Sequence, residues 1–267
     1  MRILIPITIL LAAYALIENR CMLRVRREKF GNGIKIVHVA DLHKRRFGKD
    51  NNRLCERVCA EKPDIILISG DLVSRKKPDI PAAESVLRQL CSAAPVYLVY
   101  GNHEADLSPE HKQQFLNAVR RSGAVLLRNG TVQLKIHGRK ISLSGLELPY
   151  TVYKKNGSYR DLDVISCADI TGMLGEKPDG ETVLLVHNPL FAEEYAQWGA
   201  DYAVCGHVHG GAVMIPFTKI GLLSPERKFL PRYTKGVYAV DKMKLLLSGG
   251  LGKFRLLNPP EIVVYEL

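Results

Sequence analysis

Residues 64–71 read DIILISGD. Four adjacent apolar side chains, closed by a glycine and a carboxylate, have the length and texture of a short buried strand. The residues on either side are different. NRLCERVCAEKP (52–63) reads as a helix stopped by Pro63, and PAAESVLRQLCSA (81–93) as a helix opened by Pro81. The same alternation continues outward, with strands at 34–41 and 95–103 and a helix at 108–123. That helix has Ser108 as its N-cap, Pro109 in its first turn and Gly123 beyond its end. Strand and helix alternating in this way specify a layered α/β domain with parallel pairing. After Ala124 the texture changes to an antiparallel section, with turns at Asn129-Gly130 and Gly138-Arg139. A strand at 182–189, a helix at 190–199 and a strand at 201–207 follow, then further strands from 233 onward. There is no internal repeat and no low-complexity segment.

The chain has 267 residues, 46% of them hydrophobic and 24% charged, with a formal net charge of +11. This is a globular composition, and its basic balance favours an anionic partner: a phosphate substrate, a nucleic acid or an anionic lipid surface. The six cysteines are scattered without a CxxC pair, which excludes a disulfide framework. Residues 3–17, ILIPITILLAAYALI, carry no charge. As a helix they reach about 22 Å, short of a hydrocarbon core of roughly 30 Å. A cleaved signal, a buried core helix and an uncleaved anchor extended to Leu23 are the three readings, and the anchor is preferred. Residues 1–23 are therefore expected to be a membrane anchor, residues 24–32 a basic linker and residues 33–267 the body. Arg20, Arg24, Arg26, Arg27 and Lys29 follow the apolar run. The positive-inside rule then places the body on the cytoplasmic face, with these charges against lipid headgroups.

The carboxyl ends of the strands carry the chemistry. They read ADLH (Asp41, His43), SGD (Asp71), GNHE (Asn102, His103, Glu104), VHNP (His187) and GHVHGG (His207, His209). In open α/β sheets ligands bind at these ends. Five of the eight histidines fall there, while His38, His111 and His137 read as ordinary strand, helix and turn residues. Carboxylate, imidazole and amide oxygen together suit Mn, Fe, Zn or Co. No cysteine lies at a ligating position, which argues against a closed structural zinc site. The candidate donors are Asp41, His43, Asp71, Asn102, His187, His207 and His209: too many for one ion and suited to two. Two ions sharing a carboxylate activate water for in-line attack at phosphorus.

In their order, DLH, GD, GNHE, an isolated histidine and GHVH resemble the calcineurin-like metallophosphoesterase family. The resemblance implies a four-layer α/β sandwich, two mixed sheets flanked by helices, with a dinuclear site for divalent metals, Mn before Fe, Zn, Co or Mg. It assigns Asp41, His43 and His209 to one ion, Asn102, His187 and His207 to the other, and Asp71 to both. It implies that His103 is catalytic, meeting the phosphate and assisting the leaving oxygen. Glu104 stands where Asp is more frequent and reads as a supporting or helix-start carboxylate.

The apolar N-terminus, DLHKRRFG and the ending GGLGKFRLLNPPEI are similar to a membrane-associated bacterial branch. That branch includes UDP-2,3-diacylglucosamine pyrophosphatases of lipid A assembly. Lys44, Arg45, Arg46 and Arg255 are the candidate substrate contacts. The basic, apolar segment 212–236 is either a border of the substrate pocket or an ordinary loop. The function expected is hydrolysis of a phosphoester or lipid-linked pyrophosphate at the membrane. The alternatives are a small soluble phosphoester as substrate, or a scaffold without catalysis. No motif for specific nucleic-acid binding is present.

Overall fold

Within each short strand, neighbouring side chains enter different cores, and this sets the layers. The computed structural model describes residues 4–211, 213–215, 218, 220–222, 229–253 and 255–267, the side chains of 4–9, 11 and 19 excepted. In β2 (Lys35–Val39) and β3 (Ile65–Ile68), Ile36, Ile65 and Leu67 face one core while Val37, Val39, Ile66 and Ile68 face another. In β8 (Glu181–Val186) and β9 (Tyr202–Cys205), Val183, Leu185 and Val204 join the first of these. Leu184, Val186, Ala203 and Cys205 enter a third.

The shared core lies between two six-stranded sheets. One sheet runs β1 (Arg24–Lys29), β12 (Glu261–Glu266), β2, β3, β4 (Val96–Leu98), β5 (Val125–Leu126). Helices α2 (Asn52–Ala60), α3 (Ile80–Cys91) and α5 (Pro109–Ser122) cover its outer face. The other runs β10 (Gly236–Val240), β11 (Met243–Leu247), β9, β8, β7 (Arg139–Leu146), β6 (Gly130–Ile136), covered by α6 (Cys167–Leu174) and α7 (Ala192–Trp198). Strands β2 to β5 are parallel, as are β7, β8, β9 and β11. The result is the expected four-layer sandwich of two mixed sheets.

The caps follow local chemistry. Ser108 accepts from His111 N (3.3 Å) at the start of α5, and Gly123 closes that helix at φ 84°. The antiparallel section is the β6–β7 hairpin, turning at His137 and Gly138, both at positive φ. Strand β5 is not part of it: β5 pairs parallel with β4 in the first sheet. Helix α6 was not expected. Its signal is SCAD (166–169), where Asp169 N donates to Ser166 Oγ (3.2 Å) and Ser166 N to Asp169 Oδ2 (2.8 Å).

The expected linker at 24–32 is corrected. Arg24–Lys29 form β1, parallel to β12 at the sheet edge. Charged side chains are tolerated on an edge strand, and here Arg26 reaches Glu261 Oε1 (3.2 Å) and the Leu247 carbonyl (2.8 Å). The N-terminal residues form α1 (Leu4–Cys21). Among the described residues no helix is long and apolar enough to cross a membrane. The expected anchor, 1–23, falls partly on residues outside those described. The last turn of α1 docks on the body, where the buried Glu18 accepts from Leu257 N (2.7 Å).

Candidate metal centre

Every expected donor sits just past the carboxyl end of a parallel strand, and the two sheets bring the donors to one edge. Asp41 and His43 follow β2, Asp71 follows β3, and Asn102 opens α4 (Asn102–Ala105) after β4. His187 follows β8, while His207 and His209 follow β9. Asp41, His43 and His209 offer ligand atoms all within 4.8 Å of one another, and so do Asp41, Asp71 and His187. Asn102 Oδ1, His187 Nε2 and His207 Nδ1 form a triangle with 3.1 Å sides. Asp71 Oδ2 lies 3.5 Å from His187 Nε2, 3.7 Å from His43 Nε2 and 3.9 Å from His103 Nε2. Asp71 forms a third such group with His43 and His103, and its Oδ2 lies near a donor from each side of the site.

Three observations fit these residues to divalent cations. The first is backbone strain. Asp41, His43, Asp71, His207 and His209 all have φ between 52° and 71°, a region unfavourable for residues with a Cβ. Their neighbours leave no slack: a Cβ on Gly101 would lie 2.2 Å from Asp71 Oδ1, and one on Gly250 2.4 Å from Asp41 Oδ2. The second is charge. Asp41 and Asp71 are both buried. Burial alone would lower the pKa of His187, yet the two carboxylates lift it to about 9, so the pair draws in a positive charge. Burial also pushes the Asp71 carboxyl up, but His187, His103 and His43 together hold it well below the usual range. The third is orientation. His187 Nδ1 donates to the Ser69 carbonyl (2.7 Å), which frees Nε2 as a donor atom. Asn102 turns its oxygen toward two imidazole nitrogens. With the amide reversed it would instead donate to both of them and to Asp71 Oδ2 (3.2 Å). The oxygen-inward arrangement is the one a cation held by all three would keep.

His103 is not in that triangle. Arg75 N donates to its Nδ1 (3.1 Å), so the proton of the neutral ring is on Nε2, the nitrogen that faces Asp71. Burial lowers its pKa to about 3, and the ring is neutral at physiological pH. Glu104 is buried and holds the loops together. It accepts from Asp71 N (2.8 Å), Gly101 N (2.9 Å) and Val73 N (2.9 Å). Burial and the Asp71 charge push its carboxyl up to about 7 against those three amides. Glutamine in its place would turn an N–H₂ toward backbone donors. We expect Glu104→Gln to cost about 2–3 kcal/mol in chemical denaturation; an unchanged midpoint would show that the amides do not need the carboxylate.

The expected substrate contacts divide. Lys44 and Arg46 are exposed beside the site, Arg46 pairing with Asp79. Arg45 and Arg255 are corrected: each is only 3% exposed. Arg45 donates to the Gly252 carbonyl (3.2 Å) and lies over the Phe47 ring. Arg255 donates to the carbonyls of Gly252 (2.6 Å) and His209 (3.1 Å), and Asn258 Nδ2 also donates to the latter (2.7 Å). Arg255 braces the His209 loop from behind. Arg255→Ala is therefore expected to cost about 2–4 kcal/mol in stability, read by thermal denaturation. KM should stay within twofold; a large rise in KM with an unchanged melting temperature would restore the substrate role.

A pocket of about 150 Å³ opens over the donors, and four of its lining residues were missed: Arg75, Tyr153, Lys154 and Tyr159. Arg75 was legible in GDLVSRKK, where a basic run follows the carboxylate. Tyr153, Lys154 and Tyr159 belong to a segment without periodicity, and nothing in their sequence marks them. Lys219, Arg227 and Lys228 belong to segment 212–236, read either as a pocket border or as an ordinary loop, and lie outside the described residues.

The fold agrees with comparisons to known proteins. The calcineurin-like phosphoesterase family model matches residues 34–211. Over 242 residues the chain is 24% identical to the uncharacterized metallophosphoesterase YkoQ of Bacillus subtilis, covering 88% of this chain and 83% of that one. It is 26% identical over 240 residues to phosphodiesterase YaeI of Escherichia coli, covering 87% and 82%. Among solved structures it is similar to TT1561 of Thermus thermophilus, with a TM-score of 0.52 at 10% identity over 82% of this chain and 90% of that one. With the match spanning all five motifs and the donors gathered at one sheet edge, this chain belongs to the calcineurin-like phosphoesterase family and is a metal-dependent phosphoester hydrolase.

Proposed function

We propose that the protein uses two divalent ions, Mn²⁺ first among them, to hydrolyse the phosphate or diphosphate head of an amphiphile at the membrane surface. Asp41, His43 and His209 would hold one ion, Asn102, His187 and His207 the other, and Asp71 both. When bound, two such ions supply an activated water and offset charge on the phosphoryl oxygens. His103 presents its Nε2–H to the leaving oxygen. Arg75 and Lys154, in the wall of the pocket, attract the anionic phosphate. Tyr153 is buried with its ring 5.1 Å from that of His207 and keeps water from that side. The observation that carries this reading is the convergence of the buried Asp71 carboxylate, Asn102, His207, His209 and a neutral, correctly protonated His103 on one small pocket.

The amphiphile is supported by apolar side chains left in solvent. Leu10, Leu16 and Ile17 on α1 are exposed, as are Ile215, Ile220, Phe229 and Leu230 in the segment after His209. Both elements attach to the same stretch of chain, Met214 N donating to the Leu256 carbonyl and Leu257 N to Glu18. The basic residues after α1 favour a cytoplasmic-side location. A small soluble phosphodiester is the second reading, favoured by the modest volume of the pocket. The test uses detergent-purified protein stripped by chelator and reloaded with Mn²⁺. Release of UMP from UDP-2,3-diacylglucosamine, read by mass spectrometry beside cleavage of bis-p-nitrophenyl phosphate, would support the lipid substrate. Cleavage of the artificial diester alone would discard it, and turnover of neither would overturn both substrate readings.

A further inference from the structure

Helix α1 inverts the usual burial pattern. Leu10, Leu16 and Ile17 stand in solvent, while Glu18, the one acidic residue in its sequence, is fully buried. Carboxylates are rarely buried without a partner. The partner here is the Leu257 amide, which donates to Glu18 Oε2 at 2.7 Å. Leu257 is held at φ 58°, a region unfavourable for a residue with a Cβ.

From this contact two routes lead to His209. The first runs through Asn258, the next residue, which is fully buried. Its Nδ2 donates to the His209 carbonyl (2.7 Å) and its Oδ1 accepts from Lys235 Nζ (2.9 Å). It also packs on Gly210, where a Cβ would lie 2.8 Å from its amide nitrogen and oxygen. The second route runs through Arg45. Its Nη2 donates to the Glu18 carbonyl (3.4 Å) and its Nη1 to the Gly252 carbonyl (3.2 Å), which Arg255 Nε also meets (2.6 Å). Gly252 backs the imidazole of His209: a Cβ there would lie 2.9 Å from Nδ1 and 3.0 Å from Cε1. One residue of α1 thus bears on both the carbonyl and the ring of a candidate donor. Glu18 precedes residues 34–211, where the family model matches, and Gly252, Leu257 and Asn258 follow them. The support is built by segments on either side of the family core.

We infer that Glu18 is a positioning residue for the metal centre. By accepting from Leu257 it fixes the segment that holds His209, and docking of α1 thereby sets the affinity for the ion shared by Asp41, His43 and His209. The inference rests on the two-ion reading and adds a regulatory input to it. Groups that orient a ligand from behind change metal affinity about 10- to 100-fold. Lifting α1 from the body then loosens one ion and leaves the other, on Asn102, His187 and His207, in place.

Calorimetry of Mn²⁺ binding to the chelator-stripped full chain tests this. The wild type should take up two ions, and His209→Ala identifies the step that belongs to its ion. Glu18→Met keeps the length of the side chain and removes the carboxylate. It should weaken that step about tenfold and leave the other within twofold. Glu18→Gln still offers an oxygen to the Leu257 amide and should stay within threefold of wild type at both steps. Unchanged affinity in Glu18→Met, equal weakening of both steps, or a Glu18→Gln as impaired as Glu18→Met would overturn the inference and leave the two-ion reading standing. A wild type that takes up fewer than two Mn²⁺ would overturn the two-ion reading, and the inference with it.

Discussion

Asp71→Asn is expected to lower kcat by about 10³- to 10⁴-fold, roughly 4–5.5 kcal/mol at 1.36 kcal/mol per decade. The size of the loss follows from geometry. Asp71 Oδ2 is the atom within 3.5–3.9 Å of His187, His43 and His103, so both groups of donors rely on its charge. Asparagine keeps the shape and can still accept from His103 N, which Asp71 Oδ1 does at 2.8 Å. Loss of function would then reflect charge rather than collapse. Metal content by mass spectrometry should fall together with turnover of bis-p-nitrophenyl phosphate. Full metal occupancy with activity within tenfold of wild type would refute the bridging role. The sign of the pH effect also follows. The depressed Asp71 carboxyl stabilises the metal-free fold above the unfolded value of about 3.9, and that contribution disappears as pH falls through its lower folded value. Asp71→Asn should therefore flatten the acid limb of stability measured in chelator.

His103→Ala is expected to lose about 10²- to 10⁴-fold in kcat without losing metal. The ring stands outside the Asn102–His187–His207 triangle and receives the Arg75 amide on Nδ1. With its pKa held near 3 by burial, it assists as the Nε2–H of a neutral ring. Two results follow. The penalty should be smallest for p-nitrophenolate, which departs without help, and largest for alkoxide leaving groups. The wild-type rate should also show no inflection from this residue between about pH 5 and 8, because its protonation does not change there. A variant that lost metal, or was slowed equally on every leaving group, would make His103 a structural residue.

Much of the fold and most of the donors were legible because each signal is local. A run such as IILI ended by Gly70-Asp71 declares both a buried strand and the group it delivers. The unread parts are those decided by distant residues. RVRREK (24–29) looks like a solvated linker until β12 supplies Glu261 and a hydrogen-bonding edge. Arg45 and Arg255 look like surface cations because buried arginine is rare, and their burial depends on carbonyls of Gly252 and His209 that no spacing rule locates. Segment 148–166 lacks periodicity, so Tyr153 and Lys154 could not be placed over the site before the two sheets were assembled. The candidate donors were readable from the sequence as strand-end residues, and their pairing across the sandwich came from the family resemblance, not from any spacing rule.

That pairing has a consequence for how the protein comes into being on the ribosome. Asp41 and His43 belong to the first sheet and His209 to the second; Asn102 belongs to the first, His187 and His207 to the second. Under the proposed assignment, neither half of the chain carries a full set for either ion. A nascent chain shorter than 209 residues lacks His209 and cannot complete the proposed set of Asp41, His43 and His209. If the proposed assignment holds, hydrolytic competence arrives in a single late step, once both sheets have met, and a fragment released early by proteolysis or stalled synthesis would be chemically silent.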